Sequence, residues 1–456
     1  MTNALRRALA PLLLLATGAA TAAESGVDAA RFLREPGAWH GGVHVTGVQA
    51  GDATVALDLR RIEVFARDVQ LIADDGHGNV RRLSRPQTRY YTGKVTGAAG
   101  AVFLAVEPDG RARGIVDREG AASAFEGNAS RALRLVPVDT NAPRADGGFR
   151  CGADDLEQAR EVAGSAQASA PAKGFGGTQQ PYRARAAIET DYEFFQKFDT
   201  EAEAVAYVGD IIGYASTKYV AEVDTRLEVS FLRLWTTASD PWAETTSDCS
   251  LYELGKYWNT NMTATKRTFV HMLSGRRTGG GIAWVGVLCS GPFTASVPMG
   301  CTMGSGNQNA GGDYGFTGSL GGNFNAGNPQ VIWDSVSPAH EIGHNFNSPH
   351  THCYAGIGGN ADVIDRCYGG QAPTVGCYSG APELPGPAGQ GSGTIMSYCH
   401  LRPPGFSNIS MTFGTNHPYG VAPERVPARM SAYVANRAQM YPECLGDDTI
   451  FADGFD

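Results

Sequence analysis

The sequence predicts an α/β domain over residues 182–446, preceded by a small β-rich domain over residues 24–160. Apolar and polar residues alternate in short runs broken by turn signals in "VHVTGVQAG" (43–51), "TVALDLRRIEVFARDVQLIADDGHGNV" (54–80) and "AVFLAVEPDGRARGIV" (101–116). That period of two marks strands. From about residue 181 the text switches to strands alternating with helical apolar spacing, the pattern of βα units. Between the two lies "AGSAQASAPAKGFGG" (163–177), which reads as a flexible linker over 161–181.

The chain opens with "MTNALRRALAPLLLLATGAATAAES": Arg6 and Arg7, an apolar run, then small residues near Ala22 and Ala23. This predicts a secretory signal peptide over 1–23 and export of the mature protein. No later stretch approaches the roughly 20 apolar residues of a membrane-spanning helix, so no membrane anchor is expected. A net charge of -9, from 37 basic and 46 acidic residues, gives no electrostatic footprint for nucleic acid. Export makes disulfides possible, and nine cysteines leave one over. Eight lie beyond residue 240; Cys151 stands alone before the linker. Four disulfides in the C-terminal part are therefore expected.

Within the second domain, "RARAAIETDYEFF" (183–195) reads as a strand. Thr200 and Glu203 form a capping box that starts a helix over "EAEAVAYVGDIIGYASTKYVAEV" (201–223). "RLEVSFLRLW" is a second strand, "SLYELGKYWNTN" a helix and "RTFVHMLSG" a third strand. "GGGIAWVGVLC" (279–289), β-branched and flanked by glycine, is a further strand. The glycine-rich text 304–329 predicts long irregular connections. Asn328 and Pro329 then make a cap and first position for a helix over "QVIWDSVSPAHEIGHNF", with a start or kink near Pro338. "ERVPARMSAYVANRAQMYPEC" is an amphipathic helix, and "DDTIFADGFD" (447–456) a short tail of unassigned role.

"HEIGHNFNSPH" (340–350) is the chemical centre of the sequence. His340 and His344, four apart on a helix, share a face, and Glu341 projects beside them. A straight helix would carry His350 away, so "NFNSPH" must end the helix and turn back. Asn tolerates the left-handed backbone of such a turn, and Pro349 cannot continue a helix. Three imidazoles with a carboxylate alongside make a zinc site with one open position. A closed structural site would need a fourth protein ligand, for which His352 is nearest. A pair of structural histidines is the plainer alternative.

HExxH with a third histidine six residues on, followed by the Met-containing "GTIMSYC" (393–399), resembles the metzincin zinc endopeptidases, specifically the adamalysin or reprolysin type. Asn347 stands where that family usually has glycine. The resemblance implies an α/β/α catalytic domain with a mixed, mainly parallel sheet, an antiparallel edge strand, an active-site helix and a Met-turn placing Met396 beneath the ligands. It implies that Gly281, Ile282, Ala283, Trp284 and Val285 form the edge strand to which an extended peptide substrate adds. It pairs Cys289 with Cys444. "RYYTGKVTGAAGAVFLAVEPDGRARGIV" (89–116) is similar to a reprolysin-type propeptide, and Arg150, Cys151 and Gly152 look like a cysteine switch, in which a propeptide thiolate holds the zinc in the latent form. The alternative is an incidental thiol in a linker.

The resemblance assigns one catalytic Zn2+ to His340, His344 and His350, and the role of general base to Glu341. Tyr398, two residues after Met396, is spaced like the zinc-proximal tyrosine of astacin-like and serralysin-like members. It is either a catalytic phenol facing the developing oxyanion or a packed tyrosine. The adamalysin calcium site uses a Glu early in the first strand; "RARAAI" carries none, which argues against calcium. The expected partners are protein or peptide substrates and the chain's own propeptide. A catalytically inactive peptide-binding module, or a zinc hydrolase of another amide bond, are the other functions compatible with these motifs.

Overall fold

A computed structural model describes residues 26–118, 121–138, 150–153, 156, 182–324, 331–370 and 376–446. The expected signal peptide, the linker, the Asn328–Pro329 helix start and the C-terminal tail lie outside these residues. The N-terminal part has strands β1 (Val27–Asp28), β2 (Gly42–Ala50) and β3 (Ala53–Ile62), with helix α1 (Ala29–Arg34) after β1. A hairpin of β4 (Phe65–Asp74) and β5 (Val80–Arg82) comes next. Strands β6 (Arg89–Val95), β7 (Gly100–Val106), β8 (Ala112–Arg118), β9 (Ala121–Asn128) and β10 (Arg131–Pro137) form an antiparallel meander. Because β2 pairs with both β3 and β10, the sheet closes on itself and leaves few free edges. Its interior holds Phe32, Val45, Leu57, Tyr91, Leu104, Phe125 and Leu133.

The second sheet is built from β11 (Arg150–Cys151), β12 (Tyr182–Thr190), β13 (Thr225–Trp235), β14 (Phe269–Leu273), β15 (Gly280–Ala283) and, after the hairpin β16 (Phe293–Val297) and β17 (Gly306–Gly311), β18 (Tyr314–Thr317). Its order is β11-β15-β18-β14-β12-β13-β4-β5. β13, β12, β14 and β18 run parallel and β15 antiparallel to β18. Alternation along the strands sorts the cores: Phe269 and Leu273 of β14 join one cluster with helices α2 (Glu201–Val223), α4 (Val331–Asn345) and α5 (Arg425–Met440), whereas Val270 and Met272 join the other with α3 (Ser247–Asn261). The result is a layered α/β/α body.

Several local signals explain the element ends. The capping box that starts α2 is present: Glu203 N donates to Thr200 Oγ1 at 3.2 Å and Thr200 N to Glu203 Oε2 at 3.1 Å. The strand read over 183–195 stops earlier, at Thr190. Asp191 Oδ1 accepts Phe194 N at 2.7 Å and starts a short helical turn. Helix α4 runs through Pro338 rather than starting beside it.

The sheet crosses the boundary drawn at residues 160–182. β4 and β5 come from the N-terminal part, yet they extend the second sheet beyond β13. β11 does the same on the opposite edge, beside β15. Alternation over 54–80 marks β4 as a strand and says nothing about which sheet takes it, and β11 falls in text that carries no strand signal.

Candidate active site

His340 and His344 lie on the last turns of α4, and the helix ends in a Schellman arrangement. Ser348 N donates to Gly343 O at 3.1 Å and Asn347 N to His344 O at 2.8 Å, with Asn347 at φ +74°. This turn swings His350 back to its two partners. Arg429 of α5 locks it, donating to Asn347 O and, at 3.0 Å, to Asn347 Oδ1. The asparagine therefore does what glycine could not, because its side chain also binds the C-terminal helix. Asn347→Val forces a β-branched residue into positive φ and is expected to cost about 2 kcal/mol more than Asn347→Gly. Urea midpoints of the two variants measure that difference.

The three rings meet in a fully enclosed place. His340 Nε2 lies 3.0 Å from His350 Nε2 and 3.2 Å from His344 Nε2. His340 Nδ1 donates to Ile395 O at 2.6 Å, and His344 Nδ1 to Ser348 O at 2.7 Å. Those carbonyls can only accept, so both Nε2 atoms present lone pairs to the centre. Burial and the neighbouring rings hold His340 well below the ordinary imidazole range, and burial does the same for His350. Neutral imidazole is the form that ligates metal.

Cys151 completes the cluster. Its Sγ is 3.3 Å from His344 Nε2 and 3.3 Å from Glu341 Oε2, and the four donor atoms lie within 4.8 Å of one another. A tetrahedral zinc ion with Zn–N of about 2.0–2.1 Å needs nitrogen separations of about 3.3 Å, close to those present. Lone pairs facing one another this closely repel unless a cation lies between them. The donor set thus fits zinc, with His340, His344 and His350 as the residues that would hold it.

His352 is outside this group. Its ring stacks on His350 at 5.4 Å and tilts against Tyr398 at 5.2 Å. Tyr398 packs on His350 at 4.2 Å and its hydroxyl donates to Cys151 O at 2.6 Å. The disulfide Cys367–Cys399 ties down the residue next to it. Met396 is fully buried under α4, where a Cβ on Gly343 would come 2.6 Å from its Sδ. Three further disulfides join Cys249–Cys301, Cys289–Cys444 and Cys353–Cys377; Cys151 belongs to none.

The edge strand is shorter than expected. β15 ends at Ala283, so Trp284 and Val285 lie past it. Trp284 N still donates to Tyr314 O of β18 at 3.2 Å, and beyond it the backbone serves the helix end: Gly286 N donates to His344 O at 2.9 Å and Val287 N to Asn345 O at 3.1 Å, while Asn345 Nδ2 donates to Trp284 O at 2.9 Å. Carbonyls that α4 leaves open are satisfied this way. The outer side of β15 is also occupied: Arg150 and Cys151 pair parallel with Gly280 and Gly281, and Gly152 N donates to Gly281 O at 3.1 Å. Gly281 is needed for a reason the sequence did not reveal. A Cβ there would come 2.6 Å from Glu341 Cγ, so its absence makes room for the carboxylate.

Residues 180–410 match the family described as Reprolysin_5, metallo-peptidase family M12. No curated protein matches. Among solved structures, metalloproteinase-II from Bacteroides fragilis is 12% identical with a TM-score of 0.35, over 71% of this chain and 86% of that one. A structure of a chaperone–substrate complex is 9% identical with a TM-score of 0.30, over 86% of this chain and 64% of the other. Neither likeness is close enough to add to the family match.

Proposed function

Because this chain belongs to metallo-peptidase family M12 and is thereby a zinc metalloprotease, we propose that it is a secreted endopeptidase, made as a latent zymogen, that cleaves internal bonds of proteins. The convergence of three imidazole nitrogens beside the Glu341 carboxylate, on the cleft bordered by β15, carries this reading. Zinc held by His340, His344 and His350 supplies Lewis acidity toward a peptide carbonyl and a nearby water.

The chain's own residues do the rest. Glu341 takes the proton of the attacking water and delivers it to the leaving amine. Tyr398 donates its hydroxyl hydrogen to the carbonyl oxygen as charge develops there; its bond to Cys151 O is a hydrogen bond of the same kind to a peptide carbonyl in the cleft. β15 binds the substrate backbone by strand addition, which gives affinity with little sequence demand.

Latency rests on Cys151. Its sulfur stands where the attacking water must be, and its backbone fills the β15 edge. Cleavage in the 161–181 linker severs the tether between this segment and the catalytic part. Secretion is supported by the signal-like N-terminus, by four disulfides and by the lack, among the described residues, of a helix long and apolar enough to cross a membrane.

The direct test is casein digestion by processed protein whose zinc is quantified in the same sample. Digestion should fall to background with 1,10-phenanthroline and return when zinc is restored. Digestion that persists without metal would refute the assignment.

A further inference from the structure

The N-terminal domain is joined to the catalytic body by more than the cysteine segment. β4 lies parallel to β13 from Phe65 beside Val229 to Asp74 beside Trp235, with Val229 N bonded to Val64 O at 2.8 Å and Thr236 N to Asp74 O at 2.9 Å. Removing β4 would strip one edge of the catalytic sheet and leave β13 with unpaired backbone groups.

Helix α2 points the same way. Its residues from Ala204 to Tyr219 are all buried, which is the pattern of a core helix and not of one with a solvent face. The cover on one side is the N-terminal sheet. Gly209 and Gly213, four apart, let that sheet approach: a Cβ at Gly209 would come 2.8 Å from Tyr90 Cζ, and one at Gly213 2.6 Å from Phe103 Cε2. Tyr90 donates to Ala206 O at 3.3 Å. Two charges buried on this helix have partners in the N-terminal domain: Asp210 with Arg113 (Oδ1 to Nη2 3.1 Å) and Lys218 with Asp117 (3.3 Å). Val64, Phe65, Leu71, Tyr90, Phe103 and Ile115 belong to the same apolar cluster as Ile211, Ile212 and Tyr214. Loss of the domain would open that cluster to water.

We propose that the N-terminal domain is a permanent subunit: after processing it stays bound through β4 and α2, and only the segment carrying Cys151 leaves the cleft. The active enzyme is then a non-covalent two-chain particle. This rests on the zymogen reading for its activation step, whereas the association stands on the packing alone.

The test uses the full chain with recognition sequences of a site-specific protease placed within 140–149 and within 163–177. Cutting both frees the cysteine segment and removes every covalent link between the two parts. On native size-exclusion chromatography at about 1 μM the N-terminal and catalytic chains should co-elute and separate only in denaturant. Elution of the N-terminal chain by itself in native buffer would overturn the proposal. Peptidase activity is read separately on the same sample. Its absence from a co-eluting, zinc-loaded particle would count against the proteolytic reading while upholding the two-chain one.

Discussion

Glu341→Gln should lower kcat of the processed protein on casein by about 10²- to 10⁴-fold, the range of a lost general base, while the zinc content stays at one ion per chain. The carboxylate is fully buried in a space left by the missing side chain of Gly281. Glutamine has the same shape, so the packing against β15 is kept. What it loses is basicity: an amide can accept a hydrogen bond from water but cannot take its proton. Glu341→Asp tests the other requirement, because its carboxylate keeps the basicity and stands one methylene short. Both variants should lose kcat and kcat/KM equally, with KM little changed, the signature of an interaction made only in the transition state. Activity within 10-fold of the parent in Glu341→Gln would place the base elsewhere.

How much of this site is written locally differs from residue to residue. His340 and His344 share a face because of helix pitch, and the return of His350 needs only a helix end that tolerates positive φ, which Asn347 provides. Those are short-range rules, and the sequence states them in eleven residues. Arg429 was not legible, since it comes from a helix 82 residues on and the turn it holds gives no sign of needing a partner. The edge strand is shorter than its composition suggests for a similar reason. Trp284 and Val285 have strand-like composition, but after one more bond to β18, from Trp284 N to Tyr314 O, the backbone is drawn off to the end of α4. A tertiary demand for hydrogen bonds overrode local propensity.

The N-terminal region shows the same limit on a larger scale. Alternation in "TVALDLRRIEVFARDVQLIADDGHGNV" announces strands, and β3 and β4 are both there. Yet β3 belongs to one sheet and β4 to the other. Period two reports that a face is buried and leaves open what buries it. The hint available was in α2, where apolar residues and a glycine pair occupy too much of the circumference for a helix covered on one side only.

Cys151→Ala should make the uncleaved chain proteolytic, with casein digestion at about 10²-fold above the uncut parent, the scale set by losing an intramolecular ligand at millimolar effective concentration. In the proposed zymogen two features block the cleft, and this variant separates them. The sulfur, 3.3 Å from both His344 Nε2 and Glu341 Oε2, is assigned the reacting position, and the backbone of Arg150 to Gly152, paired along β15, the binding edge. Alanine removes the first and keeps the second. Among the described residues that strand contact consists of the Arg150 and Cys151 pairing and the Gly152 N to Gly281 O bond, so a substrate that pairs with more of the edge should displace it. Cys151→Ser should behave nearly the same, because a neutral hydroxyl is a poor zinc ligand compared with a thiolate. Full activity after linker cleavage in both variants would confirm that the machinery is intact. If the uncut variants stayed silent and woke only on cleavage, latency would lie in the strand and not in the sulfur, and the odd cysteine would have no part in the switch.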